Sequence, residues 1–277
     1  MKLPRLVASA ACAVSLAGAA VIAATSTAHA SSTNYVALGD SYSSGTGTGS
    51  YDLDSACQRS SKAYAALWAS SHAPASFTFV ACSGAKTGDV LNKQLSALSS
   101  STTLASISIG GNDAGFSSVM QTCVLGSDSS CQTAVNNAEN YARTTLPGNL
   151  SNLFSAMRSK APSAKFVVLD YPRLYITNDT FCIGMSHAKH VALNHAADVL
   201  DGVIATATAN AGFTFSDVRG QFSGHELCSG DNWLHAVDLG DISSSYHPTA
   251  LGHSSGYLPR FTAAAGAALA GSHAKDS

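Results

Sequence analysis

The chain has 277 residues, 45% hydrophobic, 12% charged and 8% aromatic, with 15 Lys plus Arg against 17 Asp plus Glu and a formal charge of -2. An apolar-rich composition with so little net charge excludes a disordered chain, and without a basic excess there is no electrostatic case for a nucleic-acid partner. The length suits one large domain or two small ones, with ample chain for a buried core.

The first segment reads as a targeting signal. Lys2 and Arg5 form a short positive region, Leu6 to Ala24 is uncharged and mostly apolar, and Ala28-His29-Ala30 is a small-x-small cleavage site. This is the pattern of a secretory signal peptide over residues 1–30, and a retained anchor would lack such a cleavage site. Residues 31–277 are then expected to form a single domain outside the cell, with the last few residues, near Ser272 to Ser277, as a loose tail. No later stretch is long and apolar enough to span a bilayer. Cysteine usage agrees with export. Cys12 lies in the signal segment, and the other six are Cys57, Cys82, Cys123, Cys131, Cys182 and Cys228. An even number in an exported chain suggests disulfides, with 15 pairings open. Zinc is the rival, but no C-x-x-C pair is present.

Short apolar runs alternate with helical patterns along the chain. Tyr35 to Leu38, Phe77 to Val80, Leu104 to Ile109, Phe166 to Leu169 and Phe213 to Phe215 read as buried strands. Leu146, Leu150, Leu153, Phe154 and Met157 fall on one helical face, as do Leu193, Ala196, Leu200, Ile204 and Ala207, with Gly212 as a stop. The alternation implies right-handed crossovers and a mostly parallel sheet between helical layers.

In such sheets ligands bind outside the carboxyl ends of the strands, so the chemistry is sought in the segment just past each strand. The first strand runs into Gly39-Asp40-Ser41-Tyr42-Ser43-Ser44-Gly45, the second into Ala81-Cys82-Ser83-Gly84-Ala85, and the third into Gly110-Gly111-Asn112-Asp113. Late in the chain Tyr246-His247-Pro248-Thr249 precedes an Ala/Leu-rich C-terminal helix. A serine nucleophile, a histidine base and Gly or Asn donors for an oxyanion are the parts that acyl transfer needs.

These four blocks, in this order, resemble the SGNH hydrolases, the GDSL esterase and lipase superfamily. The six Cys, with Gly224-His225-Glu226-Leu227-Cys228 and Trp233-Leu234-His235, are similar to the secreted actinobacterial lipases within it. The resemblance implies an α/β fold, a three-layer α/β/α sandwich with a mostly parallel, flavodoxin-like central sheet. It also implies a secreted, monomeric lipase, esterase or phospholipase that cleaves carboxylic esters through an acyl-enzyme at Ser41. His247 would be the base. Ser41 and Gly84 backbone N–H groups and the Asn112 amide would form the oxyanion hole. The implied disulfides are Cys57–Cys82, Cys123–Cys131 and Cys182–Cys228. No metal or cofactor is implied. One position departs from the pattern: the Asp usually three residues before the catalytic His is replaced by Ser244, and Asp238 and Asp241 are off the usual spacing. A backbone carbonyl from the Ser244 or Ser245 region is the expected substitute.

Other motifs invite other readings. Gly45-Thr46-Gly47-Thr48-Gly49 hints at a dinucleotide loop, but the third Gly of G-x-G-x-x-G would fall on Ser50, so a flexible loop is expected. His187, His190 and His195 hint at a metal, but no carboxylate or thiolate completes a set, so a solvated helix surface is expected. His225-Glu226 suits a structural hydrogen bond near Cys228. Trp233 and Leu234 fit either an acyl pocket or the core. Asn149-Leu150-Ser151 and Asn178-Asp179-Thr180 match the glycosylation pattern, which is frequent by chance. In function, the alternatives to a lipid esterase are a carbohydrate acetyl esterase and a non-catalytic exported binding domain on the same fold. Retention of Ser41, Gly84, Asn112 and His247 together argues against a pure binder.

Overall fold

Five short strands carry the apolar runs: β1 Asn34–Ala37, β2 Ser76–Phe79, β3 Leu104–Ile107, β4 Lys165–Leu169 and β5 Thr214–Ser216. A computed structural model describes residues 32–177 and 182–273 of the chain, and side chains to residue 269. The signal segment, the Asn178-Asp179-Thr180 triplet and the last four residues lie outside the described residues. By its internal contacts Ser31–Ser277 is one unit.

All neighbouring strands are parallel, in the order β2-β1-β3-β4-β5. Tyr35 pairs with Phe77 on one side and Leu104 on the other, Ser106 with Val167, and Val168 with Phe215. β3 is buried throughout and β4 beyond its first residue, as expected for strands covered on both faces. β2 and β5 depart from the expected continuous burial, because they are the two edges of the sheet: β2 alternates exposed and half-buried, and Thr214 and Phe215 of β5 are half-buried.

Helices cover both faces. On one, Tyr35 packs against Trp68 of the helix Tyr64–His72 and Phe261 of the helix Leu258–His273, with ring centroids 5.2 and 5.4 Å away. On the other, Leu146, Leu150, Leu153, Phe154 and Met157 of the helix Leu146–Lys160 are all buried, as their spacing predicts. There Phe166 of β4 stacks on Phe213 at 4.3 Å, and Phe213 meets Phe154 at 5.2 Å. The long helix His187–Asn210 joins this layer, starting at the Ser186 cap, whose side chain accepts the Lys189 amide. Gly212, at φ +65°, follows its end. The result is a three-layer α/β/α sandwich. Among the described residues no helix is long and apolar enough to cross a membrane.

Two expectations need correcting. The Gly45–Gly49 segment is no loose loop. Residues 45–48 are buried, the Gly47 carbonyl is hydrogen-bonded to His235 Nε2 at 2.7 Å, and Thr48 Oγ1 donates to the Gly45 carbonyl at 2.8 Å. The three histidines are not a uniform solvated face either. His187 and His195 are exposed, but His190 is buried, its ring stacked on Tyr175 at 4.0 Å. In both cases the burying partner comes from a distant part of the chain.

The structure joins Cys57 to Cys82, Cys123 to Cys131 and Cys182 to Cys228. Cys57–Cys82 ties the segment after Ser41 to the end of β2, and Cys123–Cys131 links the helices Phe116–Leu125 and Asp128–Thr144. Cys57–Cys82 spans 25 residues of sequence. Replacing both by Ala is expected to lower the unfolding free energy by about 3 to 4 kcal/mol on the loop-entropy relation. Equilibrium urea unfolding measures this, and an unchanged midpoint would show that the bridge adds nothing.

Candidate active site

The sheet order reverses direction between β1 and β3, and there the loops after the two strands diverge and leave a crevice. Gly39 makes the turn out of β1. Its φ is +122°, and a Cβ on it would lie 2.5 Å from the Ser108 carbonyl oxygen, so no side chain fits. Asp40 then caps the single-turn helix Ser41–Ser44 by accepting the Tyr42 amide. Ser41 is thereby presented at the first helical position, above the carboxyl edge of the sheet.

Ser41 Oγ and His247 Nε2 are 2.8 Å apart. His247 Nδ1 lies 3.1 Å from the Ser245 carbonyl oxygen. A carbonyl can only accept, so Nδ1 carries the hydrogen and Nε2 is left as the acceptor for the serine hydroxyl. Ser244, where the expected carboxylate would stand, turns its hydroxyl to the Asp241 carbonyl at 2.8 Å. Asp238 Oδ1 accepts the amides of Gly240 and Asp241, and Asp241 Oδ1 accepts the Ser243 hydroxyl. Both carboxylates therefore fold the loop leading to His247, and neither bonds its ring.

The turn that aims His247 is strained and held from several sides. Tyr246 has φ +65°, which is uncommon for a bulky residue. Its carbonyl accepts the Tyr42 hydroxyl at 2.6 Å, its amide donates to the His235 carbonyl at 2.9 Å, and its hydroxyl meets that of Tyr175 at 3.2 Å. The Tyr42 ring also packs 5.1 Å from the imidazole. Burial pushes the His247 pKa down from 6.5 to about 4, and the Ser245 carbonyl offsets only part of that.

The other strand ends are tied into the same crevice. Asn112 Nδ2 donates to the Ala85 carbonyl at 3.1 Å, and the Asp113 carboxylate accepts the Thr87 amide and hydroxyl. Gly84, at φ +79°, faces open space, and neither its amide nor that of Ser41 has an acceptor among the described residues. Tyr171, after β4, bridges the first and third blocks. It donates its hydroxyl to Asp40 Oδ2 and accepts the Gly111 amide at 3.1 Å. Asp40 is 1% exposed, and burial raises its pKa to about 6 against hydrogen bonds from Tyr171, Ser108 and the Tyr42 amide.

An apolar cavity starts at Ser41 and Asn112 and runs between helices, lined by Phe116, Val119 and Met120 of Phe116–Leu125, by Ala138 and Ala142 of Asp128–Thr144, and by Leu193 and Leu200 of His187–Asn210. Glu139 is a charged exception in its wall, held by His195 Nδ1 at 2.7 Å. Three parts of this site escape the sequence patterns. The helices Phe116–Leu125 and Asp128–Thr144 are two, although Ser127 caps the second and its Val135, Ala138 and Ala142 share one face. Tyr171 is the third, because a lone Tyr after a strand carries no local signal. Trp233 and Leu234 lie away from the cavity and fill core, Trp233 meeting Phe222 edge-on at 5.7 Å. His225 stacks on Trp233 at 3.6 Å, and Glu226 accepts the Gly224 amide at 2.7 Å. Among the described residues, no group of three or more His, Cys, Asp or Glu is arranged to hold a metal ion.

Comparison with known proteins agrees with this geometry. The model of the GDSL-like Lipase/Acylhydrolase family matches residues 37–254. Lipase 1 of Streptomyces coelicolor is 56% identical over 251 residues, covering 90% of this chain and 92% of that protein. The crystal structure of phospholipase A1 from Streptomyces albidoflavus NA297 superposes with a TM-score of 0.82 at 54% identity, covering 84% of this chain and 99% of that one. The extracellular lipase of Streptomyces rimosus gives the same TM-score at 52% identity, again over 84% of this chain and 99% of its own. Strand order, the serine–histidine contact and these likenesses together place the chain in the GDSL-like lipase/acylhydrolase family of ester hydrolases.

Proposed function

We propose that the enzyme cleaves carboxylic esters of lipids by a serine–histidine pair in which a backbone carbonyl takes the place of the usual carboxylate. The observation that carries this reading is the continuous chain from Ser41 Oγ to His247 Nε2 and from Nδ1 to the Ser245 carbonyl. Ser41 Oγ attacks the ester carbonyl carbon while His247 Nε2 takes its proton. The resulting oxyanion is met by the Ser41 and Gly84 amides and by Asn112 Nδ2. Collapse expels the alcohol, which receives the proton from His247. Water, activated by the same imidazole, then releases the acid and restores Ser41. The cavity beside Ser41 suits an aliphatic acyl chain, because beyond the polar groups at its mouth, Asp40, Ser41 and Asn112, its walls are mostly apolar with Glu139 as the charged exception. The relatives named as lipases and as a phospholipase A1 support a lipid ester over a sugar ester. The segment at residues 1–30 supports export, and residues 31–277 then act as a single catalytic domain outside the cell.

Ser41→Ala and His247→Ala should each lose several orders of magnitude in kcat on a nitrophenyl ester, since the two residues act as a unit. An organophosphate should label Ser41 stoichiometrically. Full activity in Ser41→Ala overturns the assignment.

Asp238→Asn, Asp241→Asn and Ser244→Ala each keep the Ser245 carbonyl in place. Less than about a tenfold loss in kcat is expected for each, against about 10⁴-fold for the carboxylate of a full triad. A loss of about 10³-fold in either Asp variant, with circular dichroism unchanged, would restore a carboxylate to the mechanism.

The base must be neutral to take the serine proton, so activity falls as pH drops through the pKa of His247. With that pKa at about 4, the acid limb of kcat/KM should lie well below 6.5. A pH–rate profile on a soluble ester with a pH-independent leaving group tests this, and an acid limb at 6.5 or above contradicts it.

A further inference from the structure

The cavity beside Ser41 is built in two parts. Close to the serine its walls come from the strand-end loops and from the helix Phe116–Leu125, whose Phe116 ring packs 6.3 Å from the His247 imidazole. Farther out they come from the helices Asp128–Thr144 and His187–Asn210, which pack on each other. Asp128–Thr144 rests chiefly on other helices rather than on the sheet, so what it supplies is outer wall. The lining side chains there include Ala138 and Ala142 on one helix and Ala196 and Ala197 on the other. Their methyl groups leave space between the helices, and Glu139 stands beside them. His195 Nδ1, on the facing helix, lies 2.7 Å from Glu139 Oε1, and because a carboxylate can only accept, Nδ1 donates. Arg143, one turn on, approaches Oε2 at 3.7 Å. The Glu139 side chain is 15% exposed, whereas those of His195 and Arg143 are 63% and 56% exposed. The carboxylate is therefore held from the solvent side while the residue itself lines the cavity. The other charged residue of the lining, Asp40, is occupied in capping the Ser41 turn and in holding Tyr171. Glu139 has no part in the mechanism above.

We infer that Glu139, fixed by His195, sets the longest acyl chain that the cavity takes, a proposal resting on the lipid-ester reading above. Each methylene that enters between apolar walls leaves water and strengthens binding by about fourfold. A methylene that reaches the carboxylate does the reverse, because it strips water from a charged group and offers no hydrogen bond in return. Pushing the side chain aside would break its bond to His195, which ties the two wall helices together. The gain from lengthening the chain therefore ends at Glu139. The favoured substrate is an ester whose acyl group fills the space between Ser41 and that residue. Shorter acyl groups forgo apolar contact, and longer ones meet the charge.

The test is a series of nitrophenyl esters of straight-chain acids, from butanoyl to hexadecanoyl, at one detergent concentration so that the physical state of each ester cancels between variants. The readout is the ratio of kcat/KM for the longest ester to that for the shortest. Glu139→Leu replaces the charged group with an apolar one of similar size, and should raise this ratio by about tenfold or more as a few further methylenes gain apolar contact. Glu139→Gln keeps the shape and removes the charge, and should move the ratio the same way by a smaller factor. A role in the fold alone would change both rates together and leave the ratio where it was. Fatty acids of the same lengths, titrated into Ser41→Ala with and without Glu139→Leu, read the same preference without chemistry. The inference is overturned if neither Glu139 variant raises the ratio, or if Glu139→Leu leaves the fatty-acid preference unchanged. If the parent hydrolyses no ester of any length, the lipid-ester reading fails instead, and the fatty-acid titration still decides the role of Glu139.

Discussion

An imidazole that is to accept a proton at Nε2 has to give its Nδ1 hydrogen to some oxygen, and here that oxygen belongs to the backbone of Ser245. The bond spans only two residues of sequence, so its geometry depends on how the chain turns between them. Tyr246 makes that turn in the left-handed region, which costs on the order of 1 to 3 kcal/mol for such a residue. The surroundings hold it there through Tyr42, Tyr175 and the two backbone bonds exchanged between His235 and the Tyr246–His247 pair. Much of the carboxyl edge of the sheet is thus braced around one strained residue. The loop at Gly47, pinned by His235, closes the same brace from the Ser41 side.

A neutral acceptor has a chemical consequence. A carboxylate at Nδ1 would favour the imidazolium and raise its pKa, whereas a carbonyl dipole offsets desolvation only in part, leaving His247 at about 4. A weaker base gives a weaker pull on the serine proton. The compensating effect is on the leaving group, because a more acidic imidazolium is a better donor to the departing alkoxide. In the proposed mechanism, more of the stabilisation of the transition state then falls on the three oxyanion donors assigned to it. Each of these is fixed by its own strand end: Ser41 by the Asp40 cap, Gly84 by the turn that Cys82 anchors, and Asn112 by the bond to Ala85 that leaves its second amide hydrogen free for a ligand.

How much of this is legible in the sequence depends on how local each signal is. Gly39, the Ser41 turn and the Gly110-Gly111-Asn112-Asp113 block are readable because strand, tight turn and helix start are adjacent in the chain. The faces of Leu146–Lys160 and His187–Asn210 are readable from their periods. The burial of His190 and of residues 45–48 is not, because it depends on Tyr175 and His235, which lie far away in sequence. Tyr171 is silent for the same reason, since its partners Asp40 and Gly111 meet it only in the folded sheet. The absence of Asp at position 244 is visible, and it points to the Ser244–Ser245 backbone. Which of the two carbonyls accepts is decided by the Tyr246 turn, and no residue type announces that turn.

The site also places a constant burden on the stability of the fold. Asp40 is buried as a carboxylate, and its pKa rises from 3.8 to about 6. A carboxylate raised this way destabilises the folded state above its folded pKa, and the penalty fades as pH falls from about 6 towards 3.8. A difference of that size corresponds to about 3 kcal/mol. His247 behaves in the opposite sense. Its pKa is lowered from 6.5 to about 4, so it favours unfolding increasingly as pH falls through that window, again by about 3 kcal/mol. The two windows nearly coincide and the slopes have opposite signs. As protons are added the unfavourable burial of charge therefore moves from the Asp40 carboxylate to the His247 imidazole, and the two groups oppose one another in sign across this range.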